Sequence, residues 1–261
     1  MTILKQEIKS QKLSITIWSL SIGLLIAACV LMYPEMKSEM GNVNEMFSAM
    51  GNFTAAFGMD KLNFGTILGF YAVEAGNILG IGGAFFAAIT AVSSLMKEEK
   101  ERTAEFLMTH PVSRTKVVLE KLLSTFVIIL ILNIVVFLCS ACSILIIGEE
   151  TDWGIMVLFH LAALLMQFEI AGICFCISAF LTRSGIGIGI GIAAVMYFLN
   201  IIANISSSAK GLKYFTPFGY TEGADIINDR TLNIGYIIPG MVIMAAGVIA
   251  AFWNYNRKDI K

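Results

Sequence analysis

Six stretches of this chain run for about 20 residues with almost no charge, and that pattern leaves few folds open. Residues 13–33, 75–96, 122–147, 184–205 and 235–253 contain no Asp, Glu, Lys or Arg, and 154–181 contains only Glu169. A bilayer span needs roughly 20 apolar residues, whereas a buried core helix of a soluble protein needs about 10 to 14. Only 14% of the 261 residues are charged and 57% are hydrophobic, against about 25% charged in soluble domains. Backbone groups inside lipid must be satisfied within the segment, so each stretch reads as a helix. The expected fold is an all-α polytopic membrane protein with six transmembrane helices. An even number of spans puts both termini on one side.

Lysine and arginine set the orientation. The segments 1–12, 97–121, 182–183 and 254–261 hold 13 of them, and the alternate segments hold only Lys37, Lys61, Lys210, Lys213 and Arg230. The positive-inside rule makes the first set, and with it both termini, cytoplasmic. The expected location is the cell membrane as a multi-pass protein, in a bacterium the cytoplasmic membrane. Labelling of single introduced cysteines should find positions 100, 183 and the C-terminal tail inside, and 44, 152 and 228 outside. Position 228 reacting from the cytoplasm would overturn six spans.

The organisation read from the pattern is a cytoplasmic interfacial helix at 1–12, one transmembrane domain at 13–253 and a cytoplasmic tail at 254–261. The spans fall at about 13–33, 66–96, 122–147, 154–181, 184–205 and 235–253, with a charged elbow at 97–121. Leu4, Ile8 and Ile15 follow helical spacing beside Lys5, Lys9 and Lys12, which suits a helix on an anionic membrane surface. Pro34 opens an external segment in which Met36, Met40, Val43, Phe47, Met50, Thr54 and Phe57 keep close to a 3.6-residue period. That spacing predicts an external amphipathic helix after the first span. Before the last span, KYFTPFGY clusters aromatic residues around Pro217 and reads as a broken, re-entrant pair of helical turns. Cys29, Cys139, Cys142, Cys174 and Cys176 all fall inside spans, as packing residues rather than a disulfide framework. The stretch Ile26-Ala27-Ala28-Cys29 resembles a lipoprotein cleavage box, but the residues after Cys29 stay apolar and the span is long enough to remain uncut.

The elbow breaks the apolar pattern sharply. Lys97, Glu98, Glu99, Lys100, Glu101, Arg102 and Glu105 put seven charges into nine positions, and 11 charges lie between 97 and 121. Lys97/Glu101 and Glu98/Arg102 are spaced to pair on an exposed helix leading out of the second span. His110-Pro111 ends it, because the residue before proline is pushed out of the helical region. A second helix then starts near Pro111 or Ser113 and enters the third span. A linker needs only a few residues, as 182–183 shows. A stiff charged helix–break–helix suits docking of a soluble partner.

Polar side chains inside spans are costly and mark paths or interhelical bonds. Here they are Glu74, Asn77, Asn133, Gln167, Glu169, Asn200 and Asn204, the candidate translocation path. Gly185/Gly189 and Gly187/Gly191 form two small-residue faces on one helix, as do Gly65/Gly69 and Gly76/Gly80 on another, for close helix packing. The chain has no GK[ST] phosphate loop and no HExxH, and its two histidines are His110 and His160. Nothing here assembles a catalytic centre or a metal site, and any nucleotide hydrolysis belongs to another polypeptide.

EKERTAEFLMTHPVSRTKVVLEK resembles the cytoplasmic loop of permease subunits of type-2 ABC exporters. Glu101, Thr103, Glu105, Leu107, Pro111, Val112, Ser113, Arg114 and Lys121 match that pattern, and Arg102 stands where glycine is common. KYFTPFGYTEGADII resembles the segment that precedes the last span. The resemblance implies a permease subunit that forms the substrate path, pairs with a second permease subunit as homo- or heterodimer, and binds a separate ATP-binding cassette ATPase. Its interface with that ATPase would include Glu101, Arg102, Thr103, Glu105, Phe106, Leu107, Pro111, Ser113 and Arg114. ATP and magnesium would sit on the partner, with no cofactor on this chain. The other partner is the lipid bilayer, and no nucleic acid is implied. A stand-alone secondary carrier or ion channel using Glu74 and Glu169 is the alternative.

Overall fold

The computed structural model describes residues 2–37, 50–100, 112–182 and 184–258. All regular structure among them is helical. Six helices are long and apolar enough to cross a membrane: α1 (Thr2–Lys37), α3 (Ile67–Ser94), α5 (Arg114–Ile147), α6 (Trp153–Phe180), α7 (Ile186–Ile205) and α9 (Ile234–Arg257). Short helices lie between them: α2 (Asn52–Ala56), α4 (Lys97–Lys100) and α8 (Gly223–Asp229).

Side chains at the helix starts explain several boundaries. Thr66, Ser113, Asp152 and Asn233 each precede a span and accept a hydrogen bond from a backbone N–H of its first turn. These bonds satisfy donors that the helix itself leaves over. At the other end of α5, Gly148 takes the left-handed conformation (φ 70°) that closes a helix.

The structure differs from the sequence pattern at three boundaries. Residues 2–12, read as a helix of their own, are the first turns of α1, which runs 36 residues without interruption. The same helix continues past Pro34 to Lys37. Conversely, the helix expected to run from the second span into the elbow stops at Ser94, and a turn at 95–96 separates it from α4. Lys121 Nζ donates to the Ser94 carbonyl at 2.7 Å, so a side chain takes the acceptor.

α3 and α6 form the centre, with 61% of each apolar window buried, against 22% for α7 and 6% for α9. α1 lies along α5, α6 along α3 and α9, and α7 along α3. Within lipid there is no hydrophobic gain from helix association, so close backbone approach and polar bonds hold the bundle. Small residues supply the approach. A Cβ at Gly83 would stand 2.2 Å from Gln167 Nε2, and one at Gly172 would stand 2.3 Å from Met244 Cγ. Of the two glycine faces on α7, Gly185 and Gly189 pack on Val92 and Ala88 of α3, while Gly187 and Gly191 face open space. Gly76 also meets nothing, and a Cβ on Gly80 would reach only Phe218 at 3.9 Å.

Of the external segment expected at 34–63, residues 38–49, with Met40, Val43 and Phe47, lie outside the described residues. The remainder is the five-residue α2 and a 3-10 turn at Met59–Lys61. The re-entrant segment is two 3-10 turns, Ser207–Tyr214 and Pro217–Tyr220, followed by α8. Pro217, Phe218, Gly219 and Tyr220 are all buried. The Thr216 hydroxyl donates to the Met196 carbonyl at 2.7 Å and pins this segment to α7.

Candidate functional site

At the end of the bundle that carries the elbow, one buried ammonium organises three elements. The Lys121 side chain is fully buried at the start of α5. Its Nζ lies 3.0 Å from Glu7 of α1 and 2.5 Å from Glu98 of α4, besides the Ser94 carbonyl at the end of α3. An ammonium has three N–H donors, and here each has an acceptor. Lys97 adds a second cation, 3.8 Å from Glu7 and 3.2 Å from Ser10 Oγ. Glu98 is thus turned inward to a desolvated ammonium, and the expected pair with Arg102 lies outside the described residues. Nothing in the sequence marked Glu7 or Lys121 as partners, since they are 114 positions apart.

The other elbow residues divide. Glu101, Arg102, Thr103, Glu105, Phe106, Leu107 and Pro111 lie outside the described residues. Ser113 caps α5. Arg114 donates to the backbone carbonyls of Asn256 and Lys258 at 3.4 and 2.7 Å, so it closes the C-terminal end of α9. Lys258 in turn reaches the Ala179 and Leu181 carbonyls at the end of α6. The described ends of α1 and α9 therefore sit at the elbow end of the bundle, as an even number of spans requires.

The seven intramembrane polar residues separate into distinct settings. Asn133 of α5 donates to Gln167 Oε1 of α6 at 2.7 Å, both buried, and this is an interhelical bond. Glu74 of α3 is half-buried and faces the Cys29 thiol of α1. Glu169 of α6 is fully buried, and neither carboxylate oxygen has a hydrogen-bond partner among the described residues. It lies against Gly240 of α9, where a Cβ would come within 1.9 Å of Oε2. Tyr220 stands beside it, but its hydroxyl makes no aligned bond. Glu74 and Glu169 therefore have different neighbours.

Asn77, Asn200 and Asn204 gather at the opposite end, around a residue that the pattern of spans did not single out. Asn200 and Asn204 both donate to Glu222 Oε1, at 3.0 and 2.5 Å. Tyr197 donates to Asn77 Oδ1 at 3.1 Å. Of these, Asn77, Tyr197, Asn200 and Glu222 line a cavity of about 40 Å³ between α3, α7 and the start of α8. Glu222 escaped notice because it lies outside any span, in a segment that only the fold returns to the bundle.

A second cavity, of about 20 Å³, shares Gly76 and Thr221 with the first and reaches between α3 and α6 to Met166. Tyr71 and His160 line it. Ser140 Oγ gives its single proton to the Val136 carbonyl at 2.9 Å, so Tyr71, 2.9 Å away, must donate to Ser140. His160 Nε2, 2.7 Å from the Tyr71 hydroxyl, is then the donor to it, which leaves Nδ1 a buried acceptor without a partner. The pair of cavities offers polar groups from Glu222 inward along the α3–α6 seam.

A family model described as "ABC-2 family transporter protein" matches residues 1–250. No curated protein matches the chain.

Proposed function

This chain belongs to the ABC-2 family of transporter proteins, and from that premise we propose that it is the permease subunit of an ATP-driven exporter. It is a multi-pass membrane protein with six spans. In this reading it forms the path for the cargo in the cell membrane, and a separate ATP-binding cassette ATPase carries the ATP and magnesium. The observation that carries the reading is the Lys121 cluster. A lever that transmits domain motion must be rigid at its root, and three buried contacts on one ammonium tie α1, α3, α4 and α5 together there.

The elbow at 97–121 is then the element seated on the ATPase, with Glu105 and the apolar Phe106-Leu107-Met108 patch at the contact. Arg114 holds the elbow to α9 as well as standing at its edge. The outer faces of α7 and α9, little buried within one chain, accept lipid and a second permease subunit. The cargo path takes in the two adjoining cavities, with Asn77 and Asn200 in the lining at one end, Asn204 beside them on Glu222, and Glu169, which lines neither cavity, buried in the bundle.

The test is capture of a co-encoded ATPase by the purified chain, and stimulation of its hydrolysis. Truncating a buried charged partner at an interface typically costs about 2–5 kcal/mol, or roughly 30-fold or more in affinity. Glu105→Ala/Arg114→Ala should release the ATPase or uncouple its hydrolysis, while the chain still inserts. Since Arg114 also caps α9, the single change Glu105→Ala isolates the interface effect. Full capture and coupled transport in both variants would make the elbow a solvated loop.

A further inference from the structure

We propose that the cavity around Glu222 is a binding site for a small cationic group, a primary ammonium on an organic amine. The proposal extends the reading above by naming the chemistry that one end of the cargo path accepts.

The carboxylate is held but not neutralised. Asn200 and Asn204 give it two N–H donors on Oε1, and both donors are uncharged amides. Among the described residues no Lys or Arg, Lys61 and Lys210 included, forms an ion pair with Glu222. Lys37 pairs with Glu149, Lys213 with Asp225 and Arg230 with Asp152. Among the described residues this half-buried carboxylate meets neutral donors alone, without a countercharge to offset its desolvation.

The second observation is Asn200 itself. It is 6% exposed, and its Oδ1 is buried without a hydrogen-bond partner among the described residues. The amide orientation follows from its neighbour, because Nδ2 and not Oδ1 must face the carboxylate. The orphaned oxygen therefore asks for a donor, and Asn200 lines the same cavity as Glu222. Across that cavity Asn77 Oδ1 accepts one bond from Tyr197 and keeps a second lone pair. Three oxygens carrying one negative charge match the three N–H donors and single positive charge of an alkylammonium.

The chain approaches this carboxylate closely from α2. Gly58 takes a left-handed conformation (φ 68°), and a Cβ there would stand 2.6 Å from Glu222 Oε2. Glycine meets both demands at once, and it leaves the carboxylate room at the mouth. Tyr197 and Phe218, with ring centroids 5.3 Å apart, supply an aromatic wall that suits a cation and its alkyl chain.

Equilibrium dialysis of radiolabelled n-butylammonium against the purified chain in detergent tests the site without any ATPase. Wild type should show saturable binding of about one equivalent. Glu222→Gln, which keeps shape and removes charge, should weaken it at least tenfold. Glu150→Gln, an exposed carboxylate outside the cavity, should leave it unchanged. Asn77→Asp adds a second negative charge to the cavity wall and should tighten binding severalfold, a result that loss of folding cannot imitate. No saturable binding, equal weakening by Glu222→Gln and Glu150→Gln, or displacement by sodium as effective as by unlabelled amine would overturn the proposal. Binding that survives in a chain showing no ATP-coupled transport would leave this site standing and remove the exporter reading instead. Coupled transport with no butylammonium binding would do the reverse.

Discussion

Replacing Lys121 with alanine should lower the stability of the folded chain by about 3–5 kcal/mol, the usual result of removing one partner from a buried ion pair. The size follows from what is left behind. Glu7 and Glu98 have side chains only 8% and 13% exposed, and both would face an empty place instead of an ammonium. The Ser94 carbonyl would lose its partner as well. Lys97 cannot take over, because it already stands at 3.8 Å from Glu7 and is one-third exposed. Thermal unfolding in detergent reads the effect directly. Removing the whole charge set, as Glu7→Gln/Glu98→Gln/Lys121→Met, should be much milder, since uncharged groups need no countercharge. The two variants also separate stability from coupling. If the cluster is the root of the lever, the triple variant should stay folded and still lose ATPase-driven transport. A Lys121→Ala protein as stable as wild type would show that the cluster is not holding the elbow.

Replacing Glu169 should act in the opposite direction on stability. A fully buried carboxylate with no bonded partner among the described residues is a cost to the fold, and a residue kept against such a cost is a candidate for function. Glu169→Met, of similar volume, should therefore raise the unfolding midpoint. The gain expected is about 1–4 kcal/mol, by analogy with buried ionic groups replaced by apolar ones. The same variant should abolish transport, while Glu169→Gln, which keeps the shape beside Gly240, should impair it. Loss of stability in Glu169→Met would mean the carboxylate has partners in the folded protein after all. Unchanged transport in both variants would take it out of the path. Gly240→Ala offers a check from the other helix, because the added methyl has no room beside Oε2 and should reproduce the transport defect with a loss of stability.

The six spans were legible because a bilayer reads composition along the chain, one segment of about 20 residues at a time. Ser113, where the second elbow helix was expected to start, marks that start for a similar reason, since a cap acts within three or four positions. The family resemblance was equally local, carried by the run from Glu101 to Lys121 and by KYFTPFGYTEGADII before the last span. The roles of individual polar residues were not local. Asn133 and Gln167 are 34 positions apart, and nothing in either neighbourhood distinguishes their bond from the unpartnered Glu169 only two residues on.

The ends of α3 and α4 show the same limit. The spacing of Glu98 and Arg102 favoured a pair along one helix, worth a few tenths of a kcal/mol when exposed. A buried ammonium from another span, which no local spacing shows, holds Glu98 inward. Lys121 looked like the last basic residue of a loop, and Glu222 like an external acid before the final span. Packing made the first the centre of four helices and the second the floor of a cavity. Sequence alone determined which segments enter the membrane, because that transfer depends on each segment's own side chains. Only the tertiary structure decided which charges are paired, which are orphaned and where they meet, because those energies depend on distance and desolvation between segments far apart in the chain.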